Sequence, residues 1–264
     1  MTSQAQYDFI KMQHQQKIWI KVYQFFILIG FLGLWELAAD LRWIDPFIFS
    51  SPMRVITTFL NMLLKGSLLK HIGITLYETL VSFILGGTFG ILIAVILWWC
   101  ERVAKTLEPY LIVLNSLPKT ALAPIIIVWL GNTTKSIIFT AISVSIIVTI
   151  INVYYGFLQV DVEKIKLIRT FGGHKRDILS KVVIPANYAN IISTMKVNIG
   201  LSLIGVIIGE FLVAREGLGY LIVYGSQVFK LDWVMMSLII LGILATILYE
   251  VILIIERKVQ KIGG

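Results

Sequence analysis

Long apolar runs separated by short charged stretches dominate this chain. A bilayer core of roughly 30 Å needs about 20 apolar residues in helical form. Six segments meet that demand: Val22–Ala39, Leu80–Cys100, Pro109–Leu130, Ser136–Leu158, Tyr188–Val213 and Trp233–Ile255. Leu80–Cys100 and Ser136–Leu158 carry no charge. Pro118, Lys119 and Pro124 interrupt the third segment, and Lys196 and Glu210 lie in the fifth, so these two are expected to be irregular. The pattern predicts an all-α membrane protein. One transmembrane domain is expected over residues 22–255, with a polar segment 1–21 before it and a tail 256–264 after it. The first apolar run is longer than that of a secretory signal and shows no small-residue cleavage site, so it is read as a retained span.

Composition narrows the class further. The chain is 58% hydrophobic and 14% charged, with a mean hydropathy of +0.87; soluble domains average roughly 25% charged residues. A large core could form, but the polar surface is too small to cover it in water. The single cysteine, Cys100, ends an apolar run and is read as packing; it excludes an internal disulfide and a cysteine metal site. His71 and His174 lie far apart, and Glu250 and Glu256 do not share a helical face, so no catalytic or metal constellation is expected. No G-x-x-x-x-G-K-[ST] phosphate loop occurs, and Gly172-Gly173-His174-Lys175 lacks its spacing.

The net charge of +8 points to orientation rather than to nucleic acid. With residues 1–21 inside, the inner segments 1–21, 101–108, 159–187 and 256–264 hold fourteen Lys and Arg, and the outer segments 40–79, 131–135 and 214–232 hold seven. Basic residues accumulate on the cytoplasmic side, so both ends are expected inside (N-in, C-in). In the outer segment 40–79, Asp45-Pro46 and Ser51-Pro52 mark turns. Arg54–Leu64 follows with Val55, Ile56, Phe59, Leu60, Leu63 and Leu64 at helical spacing, predicting an amphipathic cover for the bundle.

Asp161 to Pro185 (DVEKIKLIRTFGGHKRDILSKVVIP) is a basic island between strongly apolar runs. Asp161 fits an N-cap, and Glu163 adds negative charge to the first turn. Val162, Ile165 and Ile168 make a short apolar stripe, and Gly172-Gly173 fits a helix end. Lys175 to Val183 fits a second short helix, and Pro185 fits the start of the next span. Two stiff helices across the cytoplasmic face can transmit a push from a soluble partner, because each moves as a unit.

This island resembles the "EAA" loop of bacterial ATP-binding-cassette (ABC) import permeases: Glu-Ala-Ala, three residues, Gly, nine residues, Ile-x-Leu-Pro. Gly172 matches the glycine, and Val182, Val183, Ile184 and Pro185 follow at the family distance. Arg169-Thr170-Phe171-Gly172 resembles the family's Arg-Thr-Leu-Gly. The triplet departs: Lys166-Leu167-Ile168 stands in place of Glu-Ala-Ala and reverses a charge. Leu117 to Pro124 with Trp129-Leu130-Gly131, and Glu210 to Leu221 (EFLVAREGLGYL), are similar to segments of the nitrate, sulfonate and taurine branch. His71, Thr75 and Leu76 are similar to the start of its second span.

The resemblance implies a type I importer permease with six spans in a bacterial inner membrane. It implies a permease homodimer in lipid, two ATPase subunits and an extracytoplasmic substrate-binding protein. ATP and Mg would sit on the ATPase; no cofactor is expected on this chain, which would be a transport subunit rather than an enzyme. Coupling would fall to Lys166, Leu167, Ile168, Arg169, Gly172, Gly173, Ile184 and Pro185. The implied solute is a small anion of sulfonate, taurine or nitrate type, with a vitamin precursor of pyrimidine or riboflavin type as the alternative. An ion-coupled secondary transporter is the rival of another class, though it commonly shows an internal repeat, and none stands out here.

Intramembrane ionisable groups usually face protein or water. Two prolines around Lys119 predict a kinked helix lining a path, with Asn115, Pro118, Lys119, Thr120 and Pro124 beside it. Glu210, Gly217 and Gly219 are expected at an outer gate, and Lys196 and Asn198 at an inner vestibule. Gly86 and Gly90, a G-x-x-x-G in the second span, are read as helix packing.

Overall fold

The computed structural model describes the backbone of residues 4–263 and the side chains of residues 11–13, 15, 16 and 18–258. Lys17 and Lys261, both used above to orient the chain, lie outside the described side chains. The elements, in order, are α1 (Gln4–Asp40), α2 (Pro46–Phe49), α3 (Pro52–Leu64), α4 (Ser67–Trp99), α5 (Glu101–Ser116), α6 (Lys119–Leu130) and α7 (Thr134–Leu158). Then follow α8 (Val162–Thr170), α9 (Lys175–Ile178), a π-helical turn (Leu179–Val183), α10 (Ile184–Ala186), α11 (Tyr188–Val213), α12 (Leu218–Gln227) and α13 (Leu231–Gly263).

Among the described residues, five helices are long and apolar enough to cross a bilayer on their own: Lys11–Asp40, Ser67–Trp99, Thr134–Leu158, Tyr188–Val213 and Leu231–Lys258. The third expected span is not one kinked rod. It is two helices, α5 and α6, meeting at 97°, and the count reaches six if this bent pair is one span. The break falls at Leu117-Pro118. A residue before proline is driven out of the helical region, and Leu117 accordingly has φ −64° and ψ 138°. Pro109 and Pro124 stay inside their helices.

Two other boundaries differ from expectation. The second span begins at Ser67 rather than Leu80, so part of the outer segment is helix. At 33 residues α4 is roughly 50 Å long and extends beyond the apolar layer. Residues 4–21 are helical and run without a break into the first span as the first turns of α1. The amphipathic cover is α3, whose inward positions are Val55, Phe59, Met62 and Leu63; Ile56, Leu60 and Leu64 face out. Ser51 caps α3, and the Glu36 carboxylate of α1 accepts the Met53 N–H at 2.9 Å. Arg54 is paired with Asp232 of α13 at 2.8 Å.

The centre is the trio α4, α7 and α11. A Cβ on Gly86 would lie 2.8 Å from Ser145 Oγ, and one on Gly90 2.7 Å from Thr149, so this G-x-x-x-G is a packing seam as expected. A second seam, Gly205 and Gly209 of α11 on Ala141 and Ile137 of α7, is equally close. Small residues let helices approach in lipid, where dispersion rather than water release drives association. The seam hydroxyls are satisfied within their own helices: Ser82 donates to the Glu78 carbonyl at 2.7 Å, and Thr149 to the Ser145 carbonyl at 3.0 Å.

Candidate functional site

The basic island is a helical elbow under one end of the bundle. Asp161 Oδ1 accepts the Glu163 N–H at 2.8 Å and starts α8. The helix ends in a Schellman arrangement: Gly173 N–H donates to the Ile168 carbonyl and Gly172 N–H to the Arg169 carbonyl, both at 2.9 Å, with Gly172 at φ +77°. Asp177 and His174 then cap α9 reciprocally. The Lys181 ammonium and the His174 backbone N–H hold the Asp177 carboxyl below the usual carboxylate range. The expected second helix is α9 continued by the π turn, and Pro185 falls in α10, one step before the span that starts at Tyr188.

The elbow is fastened to the spans above it. Ile165, Ile168, Ile178 and Val183 pack with Ala94 of α4 and with Val153 and Phe157 of α7. Lys175 Nζ donates to the Trp99 carbonyl at 2.6 Å and lies over the Trp98 and Trp99 rings at 5.6 and 5.7 Å. Val162, expected on the apolar stripe, is exposed instead. The free side of α8 carries Leu167 (56% exposed) and Phe171 (80%) among Lys164, Lys166 and Arg169. Exposed aromatic and aliphatic knobs ringed by cations are suited to docking on a protein groove.

The gate residues assemble into a buried knot at the opposite end. Glu210 is fully enclosed. Its Oε1 accepts from the Thr75 hydroxyl (2.7 Å) and its Oε2 from the Gly219 N–H (2.6 Å). Leu218 N–H donates to Thr75 Oγ1 at 2.8 Å, and Gly217 N–H to His71 Nδ1 at 3.0 Å. Gly217 has φ +113°, and a Cβ there or on Gly219 would strike the Glu210 carboxylate. Glu210 thus fastens the turn between α11 and α12 rather than facing an open path.

Lys196 borders a cavity of about 340 Å3 between α11 and α13, and its Nζ donates to both oxygens of Glu256 at 3.0 and 2.9 Å, in a mostly buried pair joining the two helices. Asn198 is buried between helices and, among the described residues, accepts only from Ser202 at 3.4 Å. Breaking a buried pair from one side leaves an uncompensated charge. Lys196→Met alone is therefore expected to lower stability more than Lys196→Met with Glu256→Met, with a coupling of about 1–3 kcal/mol in a double-mutant cycle of thermal unfolding. Lys119 is half-buried at the α5–α6 break, its Nζ on the Asn115 carbonyl at 3.2 Å; Asn115, Pro118, Thr120 and Pro124 are exposed around it. Sequence reading passed over Glu78 and gave Lys175 and Glu256 no part in a site. For Glu78 the signal was present: His71, Thr75, Glu78 and Ser82 form one polar stripe at helical spacing.

Residues 86–261, which include the elbow and the Glu210 turn of the knot, match the family of the binding-protein-dependent transport system inner membrane component. The chain belongs to this family. The permease is therefore a multi-pass inner-membrane transport subunit of an ABC importer, and ATP hydrolysis belongs to a separate ATPase. This replaces the ion-coupled alternative. It is 25% identical over 230 residues to a putative aliphatic sulfonates transport permease protein of Bacillus subtilis (strain 168), covering 87% of this chain and 83% of the relative. It is 27% identical over 242 residues to a formylaminopyrimidine transport permease protein of Halalkalibacterium halodurans, covering 89% and 95%. Its fold is similar to a chain of the MetNI methionine ABC transporter in an inward facing conformation, with TM-score 0.62 and 17% identity over 76% of this chain and 98% of that one.

Proposed function

We propose that this permease forms the path for a small organic solute of sulfonate type and takes its drive through the α8–α9 elbow. The observation that carries the coupling role is the free face of α8. Leu167 and Phe171 stand out among cations on an element otherwise locked into α4 and α7. A motor that seats on this face and shifts it moves two central spans with it, provided the two ends of its cycle bind the elbow differently. ATP and Mg act on that partner. The excess of Lys and Arg at the elbow's end supports a cytoplasmic elbow and an outward-facing knot.

The exposed apolar side chains of α5 and α6, Tyr110, Val113, Val128 and Trp129 among them, support a second copy of the permease across this face, and those of α1 support contact with lipid. An extracytoplasmic binding protein would deliver the solute at the knot's end. Sulfonate is favoured by the Bacillus subtilis relative, and a pyrimidine precursor is the second reading, favoured by the Halalkalibacterium halodurans relative. Proteoliposomes holding permease, ATPase and binding protein decide between them. ATP-dependent uptake of a labelled alkanesulfonate, unaffected by formylaminopyrimidine, is expected; uptake of the pyrimidine alone would reverse the assignment.

A further inference from the structure

The two uncharged spans end at a common cavity of about 250 Å3, between them and the elbow. Its rim carries Glu101 at the start of α5, Tyr154 of α7, Arg169 of α8 and Lys175 of α9, and its floor is apolar, with Leu97 and Ile178 both buried. Charge begins at this level of the molecule. Leu80–Cys100 has none and Glu101 follows it; Ser136–Leu158 has none and Asp161 comes three residues later. In a bilayer crossed by these spans, the cavity lies where the hydrocarbon core meets the head groups. Trp99 and Leu158 are exposed at the same level, and tryptophan is enriched at that boundary. With the elbow cytoplasmic, the leaflet beside the cavity is the one that carries negative surface potential.

The two cations on the rim are not neutralised. Arg169 and Lys175 make no salt bridge among the described residues. The carboxylates around them are taken: Glu101 by Lys105 at 2.7 Å, Glu163 by Lys166 at 3.3 Å and Asp177 by Lys181 at 2.9 Å. Lys175 uses one of its three N–H donors on the Trp99 carbonyl and keeps two. The Arg169 guanidinium offers a forked set that matches phosphate oxygens. We propose that this cavity holds the phosphate head of an anionic phospholipid of the cytoplasmic leaflet, with its acyl chains outside against Trp99 and Leu158. The cavity is smaller than the roughly 300–1,000 Å3 that encloses a whole small molecule, which suits a head group whose chains stay in the bilayer. A zwitterionic lipid brings the same phosphate with a cation added, and that cation finds no unpaired carboxylate here. The bound head would touch α8, α9 and the ends of α4 and α7, the joint across which the elbow moves the spans. Arg169 also borders the docking face of α8; Lys175 does not.

The permease–ATPase complex, purified in detergent and stripped of lipid, provides the test. It is titrated with phosphatidylglycerol or with phosphatidylcholine of the same chains, and bound lipid is counted by native mass spectrometry. Phosphatidylglycerol is expected to bind at least about tenfold more tightly, a difference of about 1.4 kcal/mol. Arg169→Gln with Lys175→Gln is expected to remove that preference. Lys181→Gln, at a cation of the same island that is tied to Asp177, is expected to keep it. Equal affinity for the two lipids overturns the site, and so does a preference that survives the double variant. A preference that Lys181→Gln lowers equally marks general attraction to a basic surface and also overturns it. Should the double variant fail to assemble, Arg169→Gln alone decides, since its side chain is exposed: an unchanged preference overturns the site. Glycerol 3-phosphate, added as competitor, separates a lipid head from a soluble phosphate. Displacement of phosphatidylglycerol at equal concentration would assign the cavity to a soluble anion and end the lipid assignment. Binding is read here without transport, so an absence of ATP-driven uptake would remove the import reading and leave this result standing.

Discussion

Replacing Leu167 and Phe171 together by aspartate is expected to release the ATPase from the permease while the bundle stays folded. Both side chains point away from the elbow's own core, which Ile165, Ile168, Ile178 and Val183 supply. Their removal therefore costs the fold little. At an interface, well-placed aromatic and aliphatic knobs carry about 2 kcal/mol or more each. Losing both is expected to weaken association at least a hundredfold, about 2.7 kcal/mol. The surrounding Lys164, Lys166 and Arg169 add steering and salt dependence more than lifetime. Co-purification of the ATPase and ATP-dependent uptake should both fall, with the thermal midpoint of the isolated permease unchanged. An ATPase that stays bound to the double variant and still drives uptake would place the grip elsewhere.

Gly205→Leu is expected to be the most damaging single change in the spans. A Cβ at this position lies 2.5 Å from the Ala141 Cα, so the obstacle is backbone and cannot swing aside. Overpacking a tight core costs about 1–3 kcal/mol, and more when helices must separate. For a chain of this size that corresponds to a fall in melting temperature of about 5 °C or more. Gly200, one and a half turns earlier on the same helix, has open space where its Cβ would be. Gly200→Leu should leave the midpoint within about 1 °C. Scanning fluorimetry of the two variants in detergent makes the comparison, and equal shifts would mean that the α7–α11 seam does not set stability.

These features were legible in the sequence to different degrees. The elbow was readable almost to the residue, because Asp161, Gly172 and Gly173 act locally: a cap and a left-handed turn need only their own neighbours. The two uncharged spans were equally plain. The outer third of α4 was not, since Lys70, His71, Thr75 and Glu78 look like a polar loop until their helical spacing is noticed. The sharp break at Leu117-Pro118 was foreshadowed by the proline, but a kink and a 97° bend leave the same trace in a sequence. Lys196 and Glu256 are sixty residues apart, and periodicity within one helix says nothing about a partner on another. The Glu210 knot lies between these cases. The glycines announced a tight turn, while the carboxylate that holds it needed three elements brought together.

The π-helical turn at Leu179–Val183 has a mechanical consequence. From Lys175 to Val213 the chain is helical almost without interruption, relieved only by that widened turn and by Asn187, whose φ −102° and ψ 5° leave the helical run. Widened turns inside helices are frequent at working parts of proteins. Here the geometry is that of a lever with its fulcrum at Asn187, braced by the bond from its side-chain amide to the Val183 carbonyl. A tilt of the short arm beneath the membrane is magnified along the long arm, which ends at the turn that Glu210 fastens.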